Sequence, residues 1–377
     1  MSDTPADMNS GAAGTEYQTV LALRNLGHDV DAVWANELHH RIKHSNLHHI
    51  LEQPFEYRRI MLAKLSLKKY DVIHINQPHG YLAAKSLKDC SETVSIHRSH
   101  GFEMRVENDL EPWLKLYGGD RRTFLRRTLS KFVNTGLRYN CRAITRTADG
   151  HIVSASQCAD FLRDKMGVSQ DRIAVIPQAP PELYTSSPSL PMTKDRLHKV
   201  LYVGQFAFFK APMIVADVMN KLGDMSEELV FSWVCSKEHH SSVYDLLSPS
   251  VRNRLNLMDW LPQEKLITVY DNHGIFLFPS FFEGFGKVFL EAMSRGLCVV
   301  AADNSGPHDI INNGLNGFLA PTGCVDTMVK ICSALINDEP LGIEISKAAI
   351  QAAKMNTWKS AANKTISFYE KLLYMKH

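Results

Sequence analysis

The sequence predicts an α/β protein made of two doubly wound domains. Three observations carry this: a length of 377 residues, short β-branched runs alternating with longer helical patterns, and one Pro- and Ser-rich stretch near the middle. A chain this long exceeds one ordinary hydrophobic core and suits two domains. Near-continuous apolar strands separated by helices indicate parallel sheets covered on both faces. The stretch "PQAPPELYTSSPSLPMTKD" (177–195) divides the strands into two series and marks a linker, placed at 181–196. The domains expected are 1–180 and 197–356, with a ligand cleft between the carboxyl ends of their strands.

The first helical pattern is "TEYQTVLALRNLG" (15–27). Strand runs follow at "DVDAVW" (29–34), "DVIHIN" (71–76), "TVSIH" (93–97), "HIVSAS" (151–156) and "IAVIPQ" (173–178). The second series is "KVLYVG" (199–204), "LVFSWVC" (229–235), "GIFLFPS" (274–280) and "LCVVAAD" (297–303). No strand precedes the first helix, although in a doubly wound domain that strand lies at the centre of the sheet. Its loss would leave two inner strands with unpaired edges. The expectation is a start lying further upstream, or another segment filling the gap.

Composition narrows the class. Apolar residues make up 45% and charged residues 22%, as in a water-soluble globular protein, and the formal charge of +2 gives no sign of a nucleic-acid partner. The start "MSDTPADMNSGAAG" lacks the basic and apolar regions of a signal peptide, and no apolar run approaches the ~20 residues of a membrane span. Seven cysteines without a C-x-x-C pair read as reduced thiols, so a cytoplasmic location is expected.

The chemistry concentrates in "FFEGFGKVFLEAMSRG", which begins at Phe281. It reads as a glycine-rich loop followed by a helix, with Gly296 as the helix stop. Gly284 and Gly286 let backbone approach a ligand, and the helix start suits phosphate oxygens. Glu283 in the loop would repel phosphate, so its partners should be sugar hydroxyls. Glu291, one turn into the helix, could accept from the two hydroxyls of a ribose. A surface ion pair of Glu291 with Lys287, four residues earlier, is the plain alternative.

The string "PSFFEGFGKVFLEAMSRGLCVVAADNSGPHDIINNGLNGFL" closely resembles the donor-site signature of the family 4 glycosyltransferases, which have the GT-B fold. "VLYVGQFAFFKAP" is similar to their strand-plus-lysine diphosphate segment, and "ADGHIVSASQCADFL", "RIAVIPQAPPELY" and "AGTEYQTVLALRNLGHDVDAVW" to elements of their N-terminal domain. "NTWKSAANKTISFYEKLL" resembles the terminal helix (357–377) that returns to the first domain. The resemblance implies a retaining enzyme that needs no metal or other cofactor and takes a nucleotide sugar as co-substrate. It implies that Glu283 and the backbone of Gly284, Phe285 and Gly286 face the donor sugar and phosphates. By the same route Glu291 holds the ribose, Lys210 stabilises the leaving diphosphate, His100 lies beside the sugar, and Gly14 and Glu16 lie near phosphates and acceptor. The acceptor expected is a glycan or a lipid-linked molecule. Gln205 stands where the family has an arginine, which puts part of the diphosphate clamp in doubt.

Other readings stay open beside this one. A sugar-nucleotide epimerase shares the two-domain architecture, and a non-catalytic nucleotide-sugar binding protein would suit Gln205. His97 reads as a core histidine. His40, His44 and His48 fall at helical spacing, where a zinc site or a plain surface would fit. Asp29 and Asp31 begin a strand instead of following one, which speaks against metal chemistry there. The segment 121–146 holds eight Arg or Lys and no acid, interleaved with Phe124, Leu125, Leu129, Phe132, Val133 and Leu137. It reads either as a peripheral membrane contact or as a core helix with a solvated basic face.

Overall fold

A computed structural model describes residues 1–8, 11–101, 103–118 and 124–376, with backbone alone at Ser45, Glu103 and 124–131. The chain divides into two compact units, Met1–Pro177 with Trp358–His377, and Gln178–Thr357. Each is a parallel sheet flanked by helices, as the alternating pattern requires.

In the first unit the sheet contains β1 (Val72–Asn76), β2 (Val94–Arg98), β3 (Gly150–Val153) and β4 (Ile173–Val175), in that spatial order and all parallel. The helices Ala12–Asn25 and Trp358–Lys376 pack together through Ala22, Leu23 and Ala362. Helix Gln53–Leu65 buries Tyr57, Ile60 and Met61 against Ile73 and Ile75 of β1. Terminal Lys376 donates to the carbonyls of Leu87 (3.2 Å) and Thr93 (2.8 Å) and to Asp149 (2.9 Å), which fastens the end of the chain to this unit.

Among the described residues no strand precedes helix Ala12–Asn25, and that helix begins three residues earlier than its apolar pattern suggests. The run 29–34 is a correction: its sequence is strand-like, yet it belongs to no sheet. The physical reason is that too few backbone bonds join it to its neighbour to make a ladder. Its backbone partners are at the very start of the chain, where Ser2 N donates to Val33 O (2.9 Å) and Ala35 N to Thr4 O (3.1 Å).

The second unit contains β5 (Lys199–Val203), β6 (Val230–Val234), β7 (Leu255–Met258), β8 (Ile275–Phe278), β9 (Cys298–Ala302) and β10 (Phe318–Ala320), in the order β10-β9-β8-β5-β6-β7. Strands β7 and β10 are missing from the sequence reading. Both are short edges without a long apolar run, "LNLM" and "FLA", so their hydrophobic signal is weak. The order reverses between β5 and β8, and ligands of doubly wound sheets bind at the carboxyl ends of strands where that happens.

The segment 181–196 is not a free linker. It carries helices Glu182–Ser186 and Lys194–Leu197 and belongs to the second unit. Tyr184 is buried against Tyr270, with ring centroids 5.8 Å apart. Buried Arg295 donates to the carbonyls of Tyr184 (3.2 Å), Ser187 (2.9 Å) and Pro188 (3.0 Å) while paired with Asp271. A Pro-rich composition signals a break in regular structure, but arginine donors can still anchor such a stretch to the core.

Candidate active site

The second unit's site is built on the loops that follow β5 and β8. After β5, Gly204 and exposed Gln205 lead into a short turn, Phe208–Lys210. Ala211 then takes a left-handed backbone (φ 53°) just before helix Pro212–Met225. After β8 the chain turns at Ser280 through the glycine-rich loop to helix Lys287–Ser294. The backbone N–H groups of Phe281 and Phe282 both donate to Phe209 O, at 2.9 and 3.2 Å, which pins the two loops together.

That pinning brings Lys210 to Glu283. Lys210 Nζ lies 2.5 Å from Glu283 Oε1, and Ser280 Oγ donates to the same oxygen at 2.7 Å. Both side chains are largely covered, with 16% and 6% of their surface exposed, so the contact is stronger than a surface pair. Glu283 is also held through its backbone, since Ser305 Oγ donates to Glu283 O, and Asn304 Nδ2 donates to Ser280 O at 2.7 Å. The rigid loop ends at Gly286, which has φ 90° and caps helix Lys287–Ser294. A Cβ at Gly286 would overlap the Phe278 ring, and one at Gly306 would overlap the carbonyl of Phe285. Gly286→Ala is therefore expected to cost more than the roughly 1–2 kcal/mol of an L-residue in this backbone region. Thermal unfolding of the variant checks it, with a lower melting temperature as the expected result.

Phe285 itself is buried against Phe289, with centroids 5.6 Å apart, so only its backbone is available to a ligand. Glu291 is buried on the same helix and accepts from Tyr270 OH at 3.2 Å. Burial raises its pKa, opposed by Lys287 and by the Tyr270 hydrogen bond. A carboxylate kept in such a place needs donors, and Tyr270 supplies only one.

The first unit holds a second constellation. Glu16, in the second turn of helix Ala12–Asn25, lies 2.5 Å from His100 Nε2 and 3.9 Å from Arg98 Nε. The His100 ring is thus in direct contact with the carboxylate. Burial would raise the Glu16 pKa, but His100 and Arg98 outweigh it and hold it down at about 2. Arg98 also donates to Thr19 Oγ1 at 2.9 Å. Gly14, two residues before Glu16, is buried in the first turn.

The expected residues thus form two groups: Lys210 and Glu283 in contact in the second unit, Glu16 and His100 in contact in the first. Ser280, Asn304, Ser305 and Tyr270 were not foreseen. Tyr270 lies 21 positions before Glu291, and nothing in the sequence links the two.

The histidine expectations need correction. His40 and His44 do not share a helix with His48, because the helix spans Ser45–Leu51. His40 stacks on His48 at 3.9 Å, and His48 Nδ1 contacts Glu52 at 2.8 Å. Asp3, His49 and His79 bring ligand atoms within 4.8 Å of one another. The His49 and His79 rings, however, stack 6° from parallel at 4.5 Å, so their in-plane lone pairs do not converge on one ion. His97 is a core residue, facing His151 with Nδ1 atoms 3.3 Å apart. Asp29 and Asp31 are engaged by Lys68, and Asp31 also by the Tyr70 hydroxyl. In the basic segment, residues 121–123 and the side chains of 124–131, including Phe124, Leu125 and Leu129, lie outside the described residues. Beyond them, helix Phe124–Thr147 buries Val133, Cys141 and Ile144 and exposes Arg138, Arg142 and Arg146. This part is a core helix with a basic outer face. No described helix is long and apolar enough to cross a membrane.

Comparison with known proteins bears on the family and the fold. D-inositol 3-phosphate glycosyltransferase of Corynebacterium aurimucosum is 26% identical over 320 residues, covering 80% of this chain and 71% of that protein. Sucrose-phosphate synthase from Thermosynechococcus elongatus superposes with a TM-score of 0.73 at 18% identity, covering 97% and 94% of the two chains. Anabaena HepE in complex with UDP and glucose gives 0.67 at 16% identity, covering 97% of each. Residues 10–179 match the model described as Glycosyltransferase Family 4, and residues 198–338 the model described as Glycosyl transferases group 1. The chain belongs to the family 4 glycosyltransferases and has their GT-B architecture of two Rossmann-like domains.

Proposed function

We propose that this glycosyltransferase moves a hexose-type sugar from a UDP- or GDP-sugar to a hydroxyl of a glycan or lipid-linked acceptor, with retention and without a metal, in surface polysaccharide assembly. The observation that carries the reading is the Lys210–Glu283 contact at the reversal point of the second sheet. HepE, which shares the fold, holds UDP and glucose. In this reading Lys210 turns from Glu283 to the diphosphate and balances the charge that develops as it leaves. Glu283 and the amides of Gly284, Phe285 and Gly286 then hold the sugar, and Glu291 accepts from the ribose hydroxyls. The leaving phosphate takes the acceptor's proton on the same face, so catalysis is mainly positioning and electrostatics. His100 and Glu16 are assigned to the sugar and the acceptor side, with Gly14 giving close backbone approach. Gln205 supplies hydrogen bonds but no charge to the phosphates. The exposed row Arg138, Arg142 and Arg146 suits an anionic acceptor or lipid headgroup.

Thermal unfolding with UDP, GDP and ADP tests the donor assignment. A nucleotide at a hundred times its dissociation constant adds ~2.7 kcal/mol. The expected result is a rise with UDP or GDP that is absent in Glu291→Ala. A rise that survives this substitution would remove Glu291 from the ribose. Equal melting with every nucleotide would remove the donor assignment.

A further inference from the structure

Tyr270 carries a hydroxyl that the apolar cluster around it does not need. Its ring is fully buried in the last turn of helix Gln263–Asp271, in one cluster with Leu266, Phe276, Leu290 and Leu297. A phenylalanine would fill that space as well, and a buried phenol without a partner costs stability. The partner is Glu291, whose Oε2 accepts from Tyr270 OH at 3.2 Å. Oε1 accepts from no described residue, so the carboxylate is held by one oxygen and open at the other. A second phenol, Tyr184, meets the Tyr270 ring edge-on, with centroids 5.8 Å apart and planes at 69°. Its hydroxyl is buried and bonds nothing among the described residues. Arg295 fixes it from behind by donating to the Tyr184 carbonyl at 3.2 Å.

We propose that Tyr270 is a positioning residue for donor binding: its hydroxyl fixes Glu291 by one oxygen, so that the carboxylate remains an acceptor and presents its other oxygen to the hydroxyls of the donor's ribose. This role rests on the placement of Glu291 at the ribose. A neutral acid would keep a proton on one oxygen and lose the strength of a charged acceptor at the other. Burial works towards that neutral acid by raising the Glu291 pKa, and Lys287 and the Tyr270 hydrogen bond work against it. The charged and titratable groups facing this carboxyl are Lys287 on its own helix, Tyr270 on helix Gln263–Asp271 and Tyr184 on helix Glu182–Ser186. Arg295 and Glu264 act on Tyr184, and Arg295 is already paired with Asp271 at 2.7 Å. Among the described residues only Tyr270 bonds the carboxylate side chain, so one hydroxyl governs both its direction and its charge. Were the hydroxyl there only to tie two helices together, its loss would lower stability and weaken donor binding equally at every pH.

The test measures the dissociation constant of UDP-glucose and GDP-glucose from about pH 5 to about pH 8 in the full chain and its variants. A sugar diphosphate has no phosphate group that titrates in this range, so a change with pH reports the protein. In the parent, affinity falls as pH drops through the Glu291 pKa. Tyr270→Phe is expected to weaken binding about tenfold at neutral pH. It should also move the fall to higher pH, because the unbonded carboxyl takes up its proton more readily. Glu291→Gln should bind weakly without that fall, and adding Tyr270→Phe to it should change nothing further. Tyr184→Phe removes a hydroxyl from the adjoining ring and breaks no bond, so it should bind as the parent does. The role is overturned if the fall in Tyr270→Phe stays at the parent's pH, or if Tyr270→Phe weakens Glu291→Gln as much as it weakens the parent. That outcome leaves Glu291 at the ribose. A parent that binds neither donor, or a Glu291→Gln that binds as the parent does, overturns the role and the placement of Glu291 together.

Discussion

Lys210→Ala is expected to lower kcat by a factor on the order of 10²–10³, the cost of removing one preorganised stabiliser of developing charge. The same change should also lower stability. Glu283 lies beneath the lysine, 6% exposed, and would keep only Ser280 as a side-chain donor. Breaking a buried pair by removing one partner costs about 3–5 kcal/mol, and the residual exposure of Lys210 places this case at or below the lower end. The two effects separate in a double variant, Lys210→Met with Glu283→Gln, in which no charge is stranded. Its melting temperature should return towards that of the parent while kcat stays low. A single variant that keeps most of its kcat would show that Lys210 serves the loop and not the leaving group. Loss of KM alone, with kcat unchanged, would mean that the lysine binds donor and transition state equally.

How legible this site was depends on whether its parts are neighbours in sequence. Glu283, the glycines and Glu291 sit within one loop and helix, so their spacing could be read directly. Lys210 was found through a second motif 73 residues away, and only the fold shows that Phe209 O ties that motif to Phe281 and Phe282. Tyr270 and Ser305 carry no local signal, because a hydroxyl reaching a carboxylate or carbonyl across a sheet leaves no pattern in its own segment. The same holds for the fold. Buried central strands such as β5 and β9 are long apolar runs and were visible. The edge strands β7 and β10 owe their existence to a neighbour's free backbone. The run 29–34 shows the converse: strand composition without a complete neighbour gives extended chain but no ladder. Pro-rich 181–196 read as a tether because nothing in it announces that Arg295 and Arg196 would collect its carbonyls.

Acidification should destabilise the first unit steeply, and between pH 7.5 and 5.5 the loss should reach about 5 kcal/mol if its four buried histidines, His74, His79, His97 and His151, contribute fully. Burial lowers the pKa of His74, His79 and His151 to about 3 and takes that of His97 well below its ordinary value. At His74 Glu16 opposes burial more than Arg98 alone reinforces it, yet burial prevails, and at His151 Arg172 acts with burial. Each imidazole therefore takes up its proton only when the chain unfolds, where its pKa returns to about 6.5. The unfolded state binds more protons, so stability is complete above pH 6.5 and falls as pH drops towards the folded values near 3. Glu16 acts in a lower window. Its folded pKa of about 2 adds stability that is fully present above 4.5 and is lost only below that. Urea unfolding at the two pH values measures the difference, and His151→Phe should flatten it by about one proton's share, roughly 1.4 kcal/mol. The His97–His151 contact makes the outcome of that variant decisive. If the two rings are buried neutral, removing one leaves the other with less repulsion and a shallower acid transition. An unchanged slope would mean that His151 binds no additional proton when the chain unfolds.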